Sequence, residues 1–536
     1  MVSPLKRGKR WLVLGHRWLG IATGLLFALW IGSGLVMLYV PFPSLTETER
    51  LARLRPMAWE AVAVSPDEAL AAAGLHGMPR SLDLEMRGDE PFYRMSASDG
   101  RRITLSARTG APAGPVDGEA ARRLTGAGPA GASVEEVERD QWTVTARYDP
   151  LRPFHKVALN DAAGTELYVS ERTGEIVLDT TRFERGWNWV GAVTHWVYLT
   201  PLRARAELWR DVVLWLSGIA AFTALSGLVL GIWRLRLRRR YARGRVTPYR
   251  GMARWHHLAG LIGGIGLTTF ILSGWLSMNP NRWFTSLAPP AHLREAYAGA
   301  DSPIGLTTAS LRAMAAHAPL GLHLARIGGH WVATGLDRTG GRVIGDAPST
   351  ARIAAAAGFA MEGARLESVE RLDTHDLYWS PLTSGTLPIL RLRFADPAAT
   401  WLHVDPASGE ILNRLDRSGR VNRWLFTAVH RLDLPILVGH PPARDAAQWL
   451  LNLLAGALVT TGLVIGWRRI GPKAGAHSPL PARGEAAAEG EGARPKEPYP
   501  ERPPHPRPGG LTSPPGKGRT TSSPRLAGRG GPASFE

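Results

Sequence analysis

Any redox cofactor in this chain must be held by His, Met, Tyr or carboxylate, because its 536 residues include sixteen histidines and no cysteine. The lack of thiols excludes disulfides, thiolate metal sites, iron–sulfur clusters and covalent c-type haem. Four histidines stand out by position. His16 and His256 lie 240 residues apart, and the same offset carries Gly20 onto Gly260, Gly24 onto Gly264 and Ser33-Gly34 onto Ser273-Gly274. His195 and His430 lie 235 residues apart, each six residues after a tryptophan, Trp189 or Trp424. That second offset also carries Arg182 onto Arg417, Arg185 onto Arg420, Leu199 onto Leu434, Gly227 onto Gly462 and Gly231 onto Gly466. Two histidines at one depth on repeat-related helices are what bis-imidazole ligation of haem needs, one nitrogen on each face of a flat macrocycle. The other reading of His16 and His256 is contact with lipid headgroups beside an arginine-rich edge, and that of His195 and His430 is interfacial anchoring beside tryptophan. His257 competes with His256, but adjacent helical positions face about 100° apart, and the alignment favours His256.

The elements that must carry these residues are long and apolar. Trp18 to Val40, Val212 to Trp233, Leu258 to Met278 and Ala446 to Trp467 each lack a charged side chain, and about 20 apolar residues cross a bilayer. The net charge of +18 is unevenly placed. Lys6, Arg7, Lys9 and Arg10 precede the first run, nine arginines and no acid fill 234–254, and Arg468, Arg469 and Lys473 follow the fourth. If the runs alternate in direction, all three clusters fall on one side, which the positive-inside rule makes cytoplasmic. Anionic lipid accounts for the arginine loop, so nucleic acid is not needed as a partner.

These observations predict a membrane protein of four transmembrane α-helices in two tandem repeats, with two periplasmic α+β domains. The expected order is a cytoplasmic N-terminus (1–10), a first span (11–40), an outer domain with an interfacial helix (41–207) and a second span (208–233). A basic cytoplasmic loop (234–254), a third span (255–278), a second outer domain with an interfacial helix (279–445), a fourth span (446–468) and a cytoplasmic tail (469–536) follow. The tail, rich in Pro, Gly, Arg and Ser, reads as disordered. Within the outer segments, Ser65-Pro66-Asp67-Glu68 opens a helix with a capping serine. RITLSA (102–107) and ELYVS (166–170) read as strands, WVATGLDRTGGRVIG (331–345) and LHVDPASGEIL (402–412) as hairpins, and LTTASLRAMAAH (306–317) as a helix. WNWVGAVTHW and NRWLFTAVHR read as amphipathic helices lying in the outer interface.

The turn LYVSERTGEIV, its partner LHVDPASGEIL, the S-P-D-E-A helix start and the span openings H-R-W-L-G-I and W-H-H-L-A-G resemble the PepSY-associated transmembrane family, which includes iron-regulated membrane proteins and periplasmic ferric-siderophore reductases. The resemblance covers about 10–470, and Ser170-Glu171-Arg172 departs from it where V-D-P is usual. It implies a bacterial inner-membrane protein with PepSY domains facing the periplasm and, for the reductase branch, haem b in the helices. Two such groups are expected, on His16 with His256 and on His195 with His430. Electrons from a cytoplasmic or quinone donor would then reduce a ferric siderophore or similar iron chelate during iron uptake. Arg182, Arg185, Arg417 and Arg420 suit haem propionates or an anionic chelate, and equally lipid phosphates. The competing function is a non-enzymatic PepSY scaffold that binds peptides or restrains a protease. His76, His155, His317, His323, His330, His375 and His403 read as surface or packing residues, and no zinc-binding spacing appears.

Overall fold

The computed structural model describes residues 4–75, 79, 81–97, 100–128, 131–382 and 387–471; His76 and the tail beyond 471 lie outside the described residues. Three helices are long and apolar enough to cross a membrane: Arg7–Met37 within the longer helix Pro4–Met37, Ala206–Arg234, and Pro441–Ile470. A fourth candidate is a pair, Gly251–Ile262 and Gly264–Ser277, bent by 63°. The bend departs from the straight span expected over 255–278. It centres on Gly263, where a Cβ would sit 2.5 Å from the Leu454 carbonyl oxygen, so the chain passes the last long helix at a distance only glycine permits. Large apolar side chains face outward along all four, among them Leu25, Trp215, Ile265 and Leu453. Such a surface suits lipid rather than water. Inside, Phe27, Trp30, Ile31, Ala220, Leu267, Ile271, Ala455 and Val459 form one cluster drawn from all four.

Fourteen strands occupy the two intervening segments among the described residues. The first segment holds β1 (Ser81–Arg87), β2 (Glu90–Ser96), β3 (Arg102–Ser106), β4 (Ser133–Val137), β5 (Phe154–Ala158), β6 (Glu166–Ser170) and β7 (Ile176–Thr180). The second holds β8 (Gly321–Ile327), β9 (His330–Asp337), β10 (Gly340–Ile344), β11 (Leu366–Leu372), β12 (Ile389–Phe394), β13 (Trp401–Val404) and β14 (Ile411–Leu415). Ser65 caps the helix Pro66–Ala72 through a capping box with Glu68, as its sequence predicts. The segment 306–317 is helical only over Thr308–Ala313. The amphipathic segments near the bundle are helical too, the first as Arg182–Val190 and Ala192–Trp196, the second as Arg417–Asn422 followed by a π-helix over Arg423–Ala428.

Each segment forms its own four-stranded antiparallel sheet, β4 to β7 and β11 to β14 in sequential order. The remaining strands join across segments in one six-stranded sheet, ordered β10-β9-β8-β1-β2-β3. The outer segments are therefore not two separate domains but share a sheet. The β1–β8 seam pairs Leu82 with Leu324, Asp83 with His323 and Leu84 with Leu322. Residues 240 apart thus exchange partners about the Asp83–His323 pair, as a local two-fold requires. A core that includes Leu82, Leu84, Tyr93, Met95, Leu322 and Leu324 backs this seam.

Candidate functional site

The helices bring the four singled-out histidines together as two pairs. The ring centroids of His16 and His256 are 6.5 Å apart, and those of His195 and His430 are 6.2 Å apart. A metal about 2 Å from one nitrogen of each of two opposed imidazoles separates the ring centres by about 6 Å. Both pairs match that spacing. His16 and Ser33, a partner of His195, lie on one helix, seventeen residues apart and hence about 26 Å along its axis. The pairs therefore occupy opposite ends of the bundle, with the apolar Phe27–Val459 cluster between them.

Every one of the four uses its Nδ1 in the same way. His16 Nδ1 is 3.2 Å from the Thr223 carbonyl oxygen and 3.2 Å from Ser226 Oγ. His256 Nδ1 is 3.2 Å from Thr461 Oγ1. His195 Nδ1 is 3.0 Å from Ser33 Oγ, and His430 Nδ1 is 3.0 Å from Ser273 Oγ and 3.1 Å from the Phe270 carbonyl oxygen. Each of these hydroxyls already donates its proton to a carbonyl of its own helix: Ser226 to Thr223, Thr461 to Leu458, Ser33 to Trp30, and Ser273 to Thr269 or Phe270. Beside Nδ1 of His16 and His430 a carbonyl oxygen can only accept, which puts the proton on Nδ1, and with the hydroxyl protons of Ser33 and Thr461 on their own carbonyls His195 and His256 take the same tautomer. That tautomer leaves the Nε2 lone pair free, and no Nε2 of the four bonds to a described residue. A metal-ligating histidine is held in this way, its second nitrogen fixed by an outer partner.

A glycine faces each ring from a neighbouring helix. A Cβ at Gly227 would lie 2.5 Å from His16 Cε1, and one at Gly462 3.2 Å from His256 Cε1. At Gly34 and Gly274 it would lie 3.5 Å from Cε1 of His195 and His430. His257 is committed elsewhere: its Nε2 donates to the Gly231 carbonyl at 2.9 Å, and its ring meets Tyr249 edge-on. No group of three or more His, Asp or Glu that could hold a metal ion occurs among the described residues. Each pair offers two protein donors only, a set that suits a metal whose other positions are filled by its own macrocycle.

The four arginines sit elsewhere. Arg185 donates to the carbonyls of Thr180 and Gly164 and pairs with Glu166 at 3.2 Å. Arg420 donates to Ala399 and Leu415 carbonyls and lies over the Trp401 ring. These equivalent residues pin a helix start to a strand connection, and neither touches a histidine of the pairs. Arg182 packs beside Gly164, while the backbone N–H of Arg417 donates to Ala398. The hydroxyl partners of the four histidines are the residues of this arrangement that pattern alone did not single out, although Ser33 and Ser273 lay within an aligned Ser-Gly pair and Ser226 and Thr461 directly precede aligned glycines.

The model of one family, the PepSY-associated TM region, matches residues 13–336. The chain belongs to that family. The match starts just before His16 and takes in His195 and His256, while His430 lies beyond its end. A PepSY-associated chain with several bilayer-length apolar helices is a membrane protein in contact with lipid. No curated protein and no solved structure matches the chain.

Proposed function

We propose that the protein is a haem-b electron carrier of the bacterial inner membrane that reduces a ferric-siderophore-like chelate in the periplasm during iron uptake. The observation that carries this reading is the fourfold repetition of one arrangement: an imidazole with Nδ1 bonded to a hydroxyl, Nε2 free, a glycine against the ring, and a partner imidazole 6.2 to 6.5 Å away. Lipid-facing or merely packed histidines have no reason to share all four features. In this reading the bent pair counts as one span, giving four spans in two tandem repeats with both termini cytoplasmic, on the strength of the basic clusters.

Haem supplies a one-electron couple at each pair when bound. The residues do the rest. His16 with His256 on the cytoplasmic side, and His195 with His430 on the periplasmic side, would hold the two groups through their Nε2 atoms. Ser33, Ser226, Ser273 and Thr461 hold the tautomer, and the apolar cluster between the pairs keeps water out of the bundle. With haem bound, electrons from a cytoplasmic or quinone donor would enter at the inner pair and leave at the outer. Fe(II) is a poorer partner than Fe(III) for hard oxygen donors, so reduction loosens the chelate. The test is oxidation of the prereduced protein by a ferric siderophore: His195→Ala or His430→Ala should abolish it and leave the inner pair reducible. Oxidation of both variants at the unaltered rate would remove the outer pair as the exit. A peptide-binding PepSY scaffold, the competing reading, would be colourless.

A further inference from the structure

Away from the bundle, the first segment encloses a cleft of about 410 Å³ between the β1–β2 turn, the start of β7 and the helix Glu47–Arg53. Seven arginines and a single carboxylate, Glu175, line it. Four of the arginines are matched by acids. Arg50 pairs with Glu85 at 2.6 Å, Arg53 with Asp179 at 3.0 Å, Arg55 with Asp89, and Arg94 with Glu85 at 2.9 Å. The other three, Arg87, Arg102 and Arg147, have no carboxylate in ion-pair contact among the described residues. Arg147 donates to the Tyr148 hydroxyl, and Arg87 donates one Nη to the Gly114 carbonyl at 2.9 Å. Its other Nη is buried without a partner, as is Arg94 Nε. Burial first, and then the Arg94 charge, push the Arg87 pKa below its ordinary value. Glu90 opposes them only in part, so this guanidinium is short of negative charge.

The rest of the wall is apolar, with Leu45, Met86, Leu124 and Ile176 among it. A cavity of this size accepts an organic molecule rather than a lone inorganic ion. We propose that the cleft binds an organic polyanion, a compact carbon frame bearing several carboxylate or phosphate groups, with Arg87, Arg102 and Arg147 as its charge partners. Forked guanidinium donors recognise both kinds of group bidentately. The carbon frame lies against the leucine and isoleucine wall. This site does not depend on the histidine pairs or on any electron transfer.

Calorimetric titration of the full chain in detergent at low ionic strength tests it, with citrate as the carboxylate probe, fructose 1,6-bisphosphate as the phosphate probe and glycerol as the neutral control. Saturable one-site binding of citrate, fructose 1,6-bisphosphate or both is expected, with none for glycerol, and the stronger of the two identifies the acid group. Arg87→Gln with Arg102→Gln should weaken it about tenfold or more, and Arg147→Gln alone should weaken it less. Arg352→Gln with Arg365→Gln removes the same charge from exposed positions elsewhere and should leave affinity within about twofold. Should the double variant at the cleft fail to fold, Arg147→Gln decides. The proposal is overturned if neither anion binds saturably, or if the cleft variants bind as tightly as the exposed-arginine control.

Discussion

In the helical bundle, each half of the chain keeps what the other has. His16 rests on Gly227 and bonds Ser226; His256 rests on Gly462 and bonds Thr461. His195 rests on Gly34 and bonds Ser33; His430 rests on Gly274 and bonds Ser273. In the sheets the halves have parted. Arg87 packs on Gly174 in the first, where Ile327 packs on Gly409 in the second. Arg94 faces Asp83 across β1 and β2, while Thr334 faces His323 across β8 and β9. The arginine cleft has a counterpart of only about 140 Å³, beside Glu410 and Ile411. Ile327, part of a buried apolar cluster, lines it where Arg87 lines the larger one. The contrast has a physical origin. On the proposed reading, a cofactor gripped between two copies would need both to stay alike, whereas a ligand held inside a single copy would free the other to close.

The strictest way to break the comparison is to remove one histidine. His16→Ala and His256→Ala should each abolish cofactor binding at the inner pair completely and equally, while His257→Ala, which loses only a bond to Gly231, should retain it; pyridine haemochrome assay of the purified variants checks this. A graded effect should follow from the glycines. Gly227→Ala, with its methyl 2.5 Å from the His16 ring, should lower occupancy most, Gly462→Ala at 3.2 Å less, and Gly34→Ala or Gly274→Ala at 3.5 Å least. Equal occupancy in Gly227→Ala and Gly34→Ala would show that the glycines do not shape the ring sites. Next come the hydroxyls: Ser33→Ala and Ser273→Ala should weaken cofactor binding at the outer pair about 10- to 100-fold, to similar extents, as measured by haem transfer to apomyoglobin.

The smallest effect belongs to the sheet seam. His323 Nδ1 lies 2.6 Å from Asp83 Oδ1, and its Nε2 lies 3.2 Å from Glu410 Oε1. Burial alone would lower its pKa, but the two carboxylates outweigh burial and raise it to about 10 from 6.5. The folded state then holds more protons than the unfolded one between those values. The stabilisation is complete below pH 6.5 and fades as pH rises through about 10. Thermal melts between pH 7 and 10 should show a falling midpoint, and His323→Gln should flatten that slope by a few degrees.

The histidine pairs were legible in the sequence because constant offsets make covalent spacing a proxy for depth, and depth is what a bilayer enforces. The Ser226 and Thr461 partners were not, since a hydroxyl one residue from a glycine carries no distinguishing pattern until helices are packed. The bend at Gly263 was hidden for the same reason: its cause is the Leu454 carbonyl on another helix. Strands such as RITLS followed from alternation and turn residues, yet the pairing of β1 with β8 joins residues some 240 apart, and alternation does not name a partner. The arginine cleft draws its wall from Leu45 to Val177, a span over which no periodicity runs.

Optical spectroscopy of the purified full chain tests the central claim most directly. Dithionite-reduced minus oxidised spectra should show low-spin bis-imidazole haem b, with two acid-extractable haems per chain. His16→Ala and His195→Ala should each leave one, and together none. A protein purified from haem-replete cells without a Soret band, or one whose haem content is unchanged in the double variant, would contradict the account.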